Sequence, residues 1–329
     1  MTTPAVSTSA RAGSAKRTGS PECVAGLGTL RFAFFVTVTT HPCISDSLVV
    51  DPDGNAAGRY RTHLSGDWNA PIYPSGGVTT ALGLAALEAE LDQPHQRLRS
   101  FSTMFVSTVG GGDIEIDVTR LRVGNRMSQL QANVRTPGSE GAGHLVTAAF
   151  GETRDGFDYA YSKPPDAGPP LDYPEPATPP AGAPTFNPSF FSNVETRRIK
   201  SFSSFETGWK GGDAEAIRWI RYRTRPKITD GRIDPIVLVP LADTMPIAIG
   251  QYHGPGYPFF HAPSVDISMR FFSDTDDEWF LTRVVSHWAG DGYASAEVTM
   301  WDSRRRLVAH AVQMMLIRFP TPEQLGIRR

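Results

Sequence analysis

The sequence predicts an α+β fold in which one unit, an apolar helix followed by antiparallel strands, is used twice along 329 residues. Three observations predict it. A proline-rich stretch splits the chain near its middle, each half carries one long apolar segment, and strand-like runs follow each of them. A first repeat is expected in residues 29–155 and a second in 186–320. A linker over 156–185 joins them, with tails at 1–28 and 321–329.

Residues 1–28 are rich in Ala, Ser, Thr and Gly, and hold Arg11, Lys16 and Arg17 with no acid before Glu22. Such a composition buries little apolar surface, so a disordered tail is expected, with an organellar targeting segment as the alternative. Residues 30–39 are rich in Phe, Val and Thr and too short to span a bilayer, so they read as a strand. In Ser75–Leu91, Val78, Leu82, Ala85 and Ala89 fall on one helical stripe, which predicts a helix packed on a sheet. Strands follow at Arg99–Ser107, Asp113–Val123, Met127–Thr136 and His144–Glu152, where β-branched or aromatic residues nearly alternate and Gly-containing turns separate several runs. From Lys163 to Pro184 the chain has nine prolines. Each lacks a backbone donor and fixes φ, so an extended crossover is predicted there rather than helix or sheet.

The second half broadly repeats the order. Strands are expected at Phe190–Arg198 and Ala216–Arg223, an apolar helical segment at Pro235–Gln251, then strands at Ser264–Ser273, Trp279–His287, Gly292–Asp302 and Leu307–Phe319. Asp234 before Pro235 suits a helix start, whereas Pro240 and Pro246 should kink or break that helix. Three landmarks suggest duplication: Met104 with Met269 (offset 165), Gly124 with Gly290 (166), and Leu145-Val146 with Leu307-Val308 (162).

Composition narrows the function. Lys+Arg at 32 nearly balance Asp+Glu at 34, for a net charge of −2, which argues against a nucleic-acid partner. Cys23 and Cys43 are the only cysteines and build neither a disulfide framework nor a zinc motif. No apolar run reaches about 18 residues, so no membrane-spanning helix is expected. There is no GxSxG elbow and no Rossmann fingerprint, and His253, His261 and His287 lack metal-binding spacing. No cofactor is called for. The cytoplasm is the expected compartment. The sequence leaves open whether the protein forms a homo-oligomer.

A sheet wrapped around a single long apolar helix fits the hotdog fold, and two copies on one chain would form a double hotdog. Local motifs sharpen this. Leu241-Ala242-Asp243-Thr244-Met245-Pro246 lies in the apolar segment, and Pro263-Ser264-Val265-Asp266 opens a strand. Leu307-Val308-Ala309-His310-Ala311-Val312-Gln313, ending in Leu316-Ile317-Arg318, closes the repeat. Together they resemble the acyl-CoA thioesterase II (TesB-like) family of double-hotdog enzymes. Trp68, Gly76-Gly77 and Arg122-Val123-Gly124-Asn125 resemble that family's first-repeat landmarks. In place of the Asp-His often found at the family's strand start, Asp266 is followed here by Ile267.

The resemblance implies a catalytic set of Asp243, Ser264 and Gln313 that orients and activates a water against a thioester carbonyl. The residue types suit that chemistry. A carboxylate accepts a proton from water, a hydroxyl holds the water, and a Gln amide donates to a developing oxyanion. Hydrolysis of acyl-CoA to free acid and coenzyme A without a covalent intermediate is the implied reaction. A non-hydrolytic acyl-CoA or acyl-carrier binding accessory of the same fold is the alternative. Trp219, Arg221, Arg223, Arg225 and Lys227 share one parity and read as a charged, solvated edge strand, or else as a patch for coenzyme A phosphates.

Overall fold

The computed structural model describes residues 40–54, 56–70, 73–177 and 189–320. The strand expected at 30–39 and both terminal tails lie outside the described residues. Among them twelve strands form one continuous antiparallel sheet. The first half supplies β1 Asp51–Pro52, β2 Arg59–Leu64, β3 Arg97–Phe105, β4 Gly112–Arg122, β5 Met127–Arg135 and β6 His144–Gly151. The second supplies β7 Val194–Lys200, β8 Glu215–Tyr222, β9 Ser264–Phe271, β10 Phe280–Gly290, β11 Tyr293–Asp302 and β12 Leu307–Leu316. Their order across the sheet is β1-β2-β4-β5-β6-β3-β9-β12-β11-β10-β8-β7.

This order reads the same from either side of β3–β9, so the duplication is written into the topology. Ser102 faces Ser268 at the centre of the β3–β9 ladder, and their hydroxyls lie 2.7 Å apart. A pseudo-dyad through that pair relates residues by an offset of 166. Both central strands are bulged at related places, between Leu98 and Ser100 in β3 and between Ser264 and Asp266 in β9. Register corrects two of the three sequence landmarks. Met104 is 59% exposed on the outer face, whereas Met269 is 0% exposed in the core. An offset of 165 is one residue short of the 166 set by the Ser102–Ser268 pair, which puts the two methionines on opposite faces. Thr147 pairs with Ser102 as Val312 pairs with Ser268, so the counterparts of Leu145-Val146 are His310-Ala311 rather than Leu307-Val308. Gly124 and Gly290 do both stand at the hairpin between the corresponding strands.

Helix α1, Gly76–Leu91, packs on β4, β5 and β6 on one side and on α2, Leu238–Ala242, on the other. It is therefore buried around most of its circumference rather than along one stripe. Val78 and Leu82 are buried as expected, but Ala89 is exposed while Thr79, Thr80, Ala86 and Leu87 are buried. The second apolar segment is split. Asp234 accepts from the Ile236 N–H (3.0 Å) to start a 3-10 turn at Pro235–Val237, which leads into α2. The chain breaks at Asp243–Pro246, and α3, Ile247–His253, resumes against β8 and β10. Pro240 does not break α2. It falls in the first turn, where its missing donor has no intrahelical partner to lose.

The strand expected from Phe190 begins instead at Val194, after a helical turn that buries Phe190 against Trp68. The basic stripe also needs correction. β8 is not an edge, because β7 covers it. Its Trp219 is buried with Trp279, Leu281 and Trp301 on the outer face, where Ala167 and Tyr173 lie over the cluster. Trp219 Nε1 donates to Gly168 O (3.1 Å), and Arg305 donates to Pro165 O (2.7 Å) and Ala167 O (3.1 Å). Arg221 pairs with Glu195 and Glu278, Arg225 with Glu278 and Lys227 with Asp46. Arg223, Arg225 and Lys227 follow the strand and are exposed, so that part of the stripe is solvated as expected, with Arg225 and Lys227 also ion-paired.

Candidate active site

The start of α1, the turn after α2, the start of β9 and the middle of β12 converge on Asp243. This residue ends α2, its N–H bonded to Val239 O at 3.1 Å. Its Oδ2 accepts from the Gly77 N–H (2.7 Å) and from Ser75 Oγ (3.3 Å). Its Oδ1 accepts from Gln313 Nε2 (2.6 Å) and Ser264 Oγ (3.4 Å). Gln313 Nε2 also donates to Ser264 Oγ at 2.5 Å. The three residues expected from the sequence are therefore in mutual hydrogen-bonding contact. Gln313 is 3% exposed, and its Oε1 has no donor among the described residues.

The close approach depends on glycine. A Cβ on Gly77 would stand 2.7 Å from Pro240 Cα and 2.8 Å from Asp243 Cβ. Gly76 lies against the Phe105 ring, whose other neighbour is the edge-on imidazole of His144, with centroids 4.7 Å apart. Burial lowers His144 to about 4, so it is neutral, and its Nδ1 lies 2.8 Å from Thr79 Oγ1. Thr79 sits in the turn of α1 that presents the Gly77 N–H.

Burial raises the Asp243 carboxyl above its ordinary 3.8, while the donors from Gly77, Gln313, Ser75 and Ser264 pull it down. The start of the 16-residue α1 adds a favourable helix dipole for its anion. The result is a partly enclosed carboxylate, more basic than an ordinary aspartate. Asp266, by contrast, is exposed and accepts from the Met314 N–H (3.0 Å), while Ile267 is buried. The aromatic run Tyr257–His261 is held by tertiary contacts, Tyr257 packing on Gly250 and the His261 backbone pairing with Arg318. Among the described residues no group of His, Cys, Asp and Glu could hold a metal ion.

The pseudo-dyad carries Ser264 onto Leu98 and Gln313 onto Ala148, so the first half does not repeat this arrangement. Leu98 and Phe271, the latter the counterpart of Phe105, instead line a cavity of about 410 Å³ together with Glu88, Asp234 and Arg232. Glu88 and Asp234 line the same wall closely enough for their carboxyls to influence each other. Burial raises both carboxyls, the Asp234 charge raises Glu88 further, and Arg232 opposes. A raised folded pKa means that stability is fullest below the ordinary carboxylate range and is lost as pH climbs through the folded value. Glu88→Gln keeps the side chain's size and cannot ionise. It should gain about 1 kcal/mol near pH 8 and nothing near pH 4, as read from urea melts at both. Parallel curves for wild type and variant would refute this.

The model of the acyl-CoA thioesterase N-terminal domain matches residues 64–151, and that of the C-terminal domain matches 165–317. Among solved structures, a hotdog-fold protein of unknown function from Alicyclobacillus acidocaldarius is similar at 18% identity and TM-score 0.68, over 84% of this chain and 98% of that one. A putative thioesterase from Novosphingobium aromaticivorans is 23% identical with TM-score 0.65, over 82% and 98%. Acyl-CoA thioesterase II TesB2 from Mycobacterium marinum is 20% identical with TM-score 0.63, over 85% and 99%. A search of curated proteins finds no match. With both domain models matched in order on a duplicated hotdog sheet, the chain belongs to the acyl-CoA thioesterase family of thioester hydrolases.

Proposed function

We propose that this protein hydrolyses an acyl-CoA thioester to the free acid and coenzyme A by direct attack of water, with Asp243, Ser264 and Gln313 as the catalytic set. The observation that carries this reading is the convergence of four donors on Asp243 beside a Gln313 carbonyl that has no donor of its own. Gln313 Oε1 is free to accept a hydrogen bond from one O–H of the attacking water, and Asp243 Oδ1 takes the proton of the other as general base. Ser264 Oγ already accepts from Gln313, so its proton turns toward Asp243 or the thioester oxygen. Water oxygen bonds to the carbonyl carbon and the C–S bond breaks. The proton held on Asp243 passes to the leaving thiolate.

The test is release of free thiol from a chain-length panel of acyl-CoA and acyl-carrier thioesters. It is paired with a single turnover in H2¹⁸O under excess enzyme. The label should appear in the released acid. Label in the Asp243 side chain would mark a covalent acyl-enzyme. Binding of every thioester without thiol release would instead establish a non-hydrolytic acyl-binding protein.

A further inference from the structure

Arg218 stands on the core face of β8 between Ala216 and Ile220, both fully buried. At 5% exposure it is the one buried cation among the described residues. Buried charges are ordinarily paired, because desolvation without a counter-charge is costly. The outer-face arginines nearby follow that rule, Arg197 and Arg221 both pairing with Glu195. Arg218 does not. No carboxylate among the described residues forms an ion pair with it. Its Nη2 donates to Thr244 Oγ1 (2.5 Å), and its Nε is buried with no acceptor. Thr244 Oγ1 donates in turn to Leu241 O (2.7 Å). Burial lowers the guanidinium to about 10, which leaves it protonated at neutral pH with nothing to balance it.

Its position gives this charge a use. Thr244 follows Asp243 directly, so the guanidinium lies no more than about 9 Å from the Asp243 Cα. None of the hydrogen bonds on Asp243 comes from Arg218, so it is no part of the proton chemistry. Resting on the thioesterase reading above, we infer that Arg218 anchors a carboxylate at the far end of the acyl group, making the substrate a short dicarboxylic half-thioester of coenzyme A. That upper bound on the distance limits the acyl group to a short chain, of about four to six carbons with its terminal carboxylate included. A forked guanidinium suits a carboxylate with two parallel N–H···O bonds, and its free Nε is one of the two donors such a pair uses. The phosphates of coenzyme A are the other anions on such a substrate. They sit on the opposite side of the sulfur from the acyl chain, whereas Arg218 faces the core.

The test uses matched pairs on the full-length protein: succinyl- against butyryl-CoA, glutaryl- against valeryl-CoA, and adipyl- against hexanoyl-CoA. Wild type should favour at least one dicarboxylic member by about 10-fold or more in kcat/KM. Arg218→Met, which keeps the reach and removes the charge, should bring that ratio down to about one or below. A measurement without any variant guards against misfolding: free glutarate or adipate should raise the wild-type Tm where valerate and hexanoate do not. Hydrolysis with no dicarboxylic preference overturns the inference and leaves the thioesterase reading intact. An equal loss across both series in Arg218→Met assigns the residue to coenzyme A phosphates or to the fold, and also overturns it. Stabilisation by glutarate or adipate with no hydrolysis of any thioester supports the anion site and sinks the thioesterase reading.

Discussion

Asp243→Asn should lower kcat for thioester hydrolysis by about 10²–10⁴-fold, because it removes the positioned base and keeps the side chain's size. The surroundings sharpen that expectation. Both carboxylate oxygens accept two donors each, and Asn offers one acceptor oxygen in place of two. Its amide nitrogen must then face Gly77 N–H with Ser75, or Gln313 with Ser264, donor against donor. The loss therefore falls on orientation as well as basicity. Thiol release by the purified variant, with its melting temperature recorded alongside, measures it. The pH profile is a second readout. Burial holds the Asp243 carboxyl above 3.8, and the base works only when ionised. Wild-type kcat/KM should therefore rise with pH through an apparent pKa above the ordinary aspartate value, and the variant should lack that limb. A variant that retains both rate and acid limb would remove Asp243 from the mechanism.

Gly77→Ala should cost about 2 kcal/mol of stability and at least about 100-fold in kcat, the second-largest effect expected. The added methyl meets backbone, Pro240 Cα at 2.7 Å and Val239 O at 3.0 Å, and also Asp243 Cβ at 2.8 Å. None of these is the free end of a flexible chain, so α1 and α2 must separate. Separation draws Asp243 Oδ2 off the Gly77 N–H and tilts the carboxylate against Gln313. Gly76→Ala is the internal comparison. Its methyl meets the Phe105 ring at 2.9 Å, and a half-buried ring can turn aside. Urea melts and thiol release on both variants should rank Gly77→Ala well below Gly76→Ala. Equal behaviour would mean that the interhelical approach is not what holds the carboxylate.

The sequence made the elements legible wherever local chemistry alone decides them. The run SGGVTTALGLAALEAEL has a helix's apolar spacing, and the strands β4, β5, β6, β11 and β12 alternate clearly enough to be placed within a few residues. β2 was missed, because Arg59-Tyr60-Arg61-Thr62-His63-Leu64 buries only Tyr60 and Leu64. The order Asp243, Ser264, Gln313 was legible through motif resemblance alone. Nothing in spacing joins residues 21 and 49 positions apart. The Ser75 and Gly77 donors to Asp243 were beyond reach for the same reason, at separations of 168 and 166. The double glycine that opens the helix is their one signal. Arg218 is overshadowed in the sequence by the odd-numbered basic run Arg221, Arg223, Arg225 and Lys227, which shares the parity of Trp219. An arginine at the even, core-facing parity between Ala216 and Ile220 was the more informative departure.

Fusing two repeats across β3 and β9 changes the mass action of assembly. A site formed between separate subunits dissolves on dilution, whereas here the Ser75–Gly77 clasp reaches Asp243 from the same chain and its local concentration is fixed by covalent connection. With both halves encoded together, selection on one no longer constrains the other. Leu98 and Ala148 stand where the second half has Ser264 and Gln313. Specific activity per chain should accordingly be independent of protein concentration, and titration should count one working centre per polypeptide.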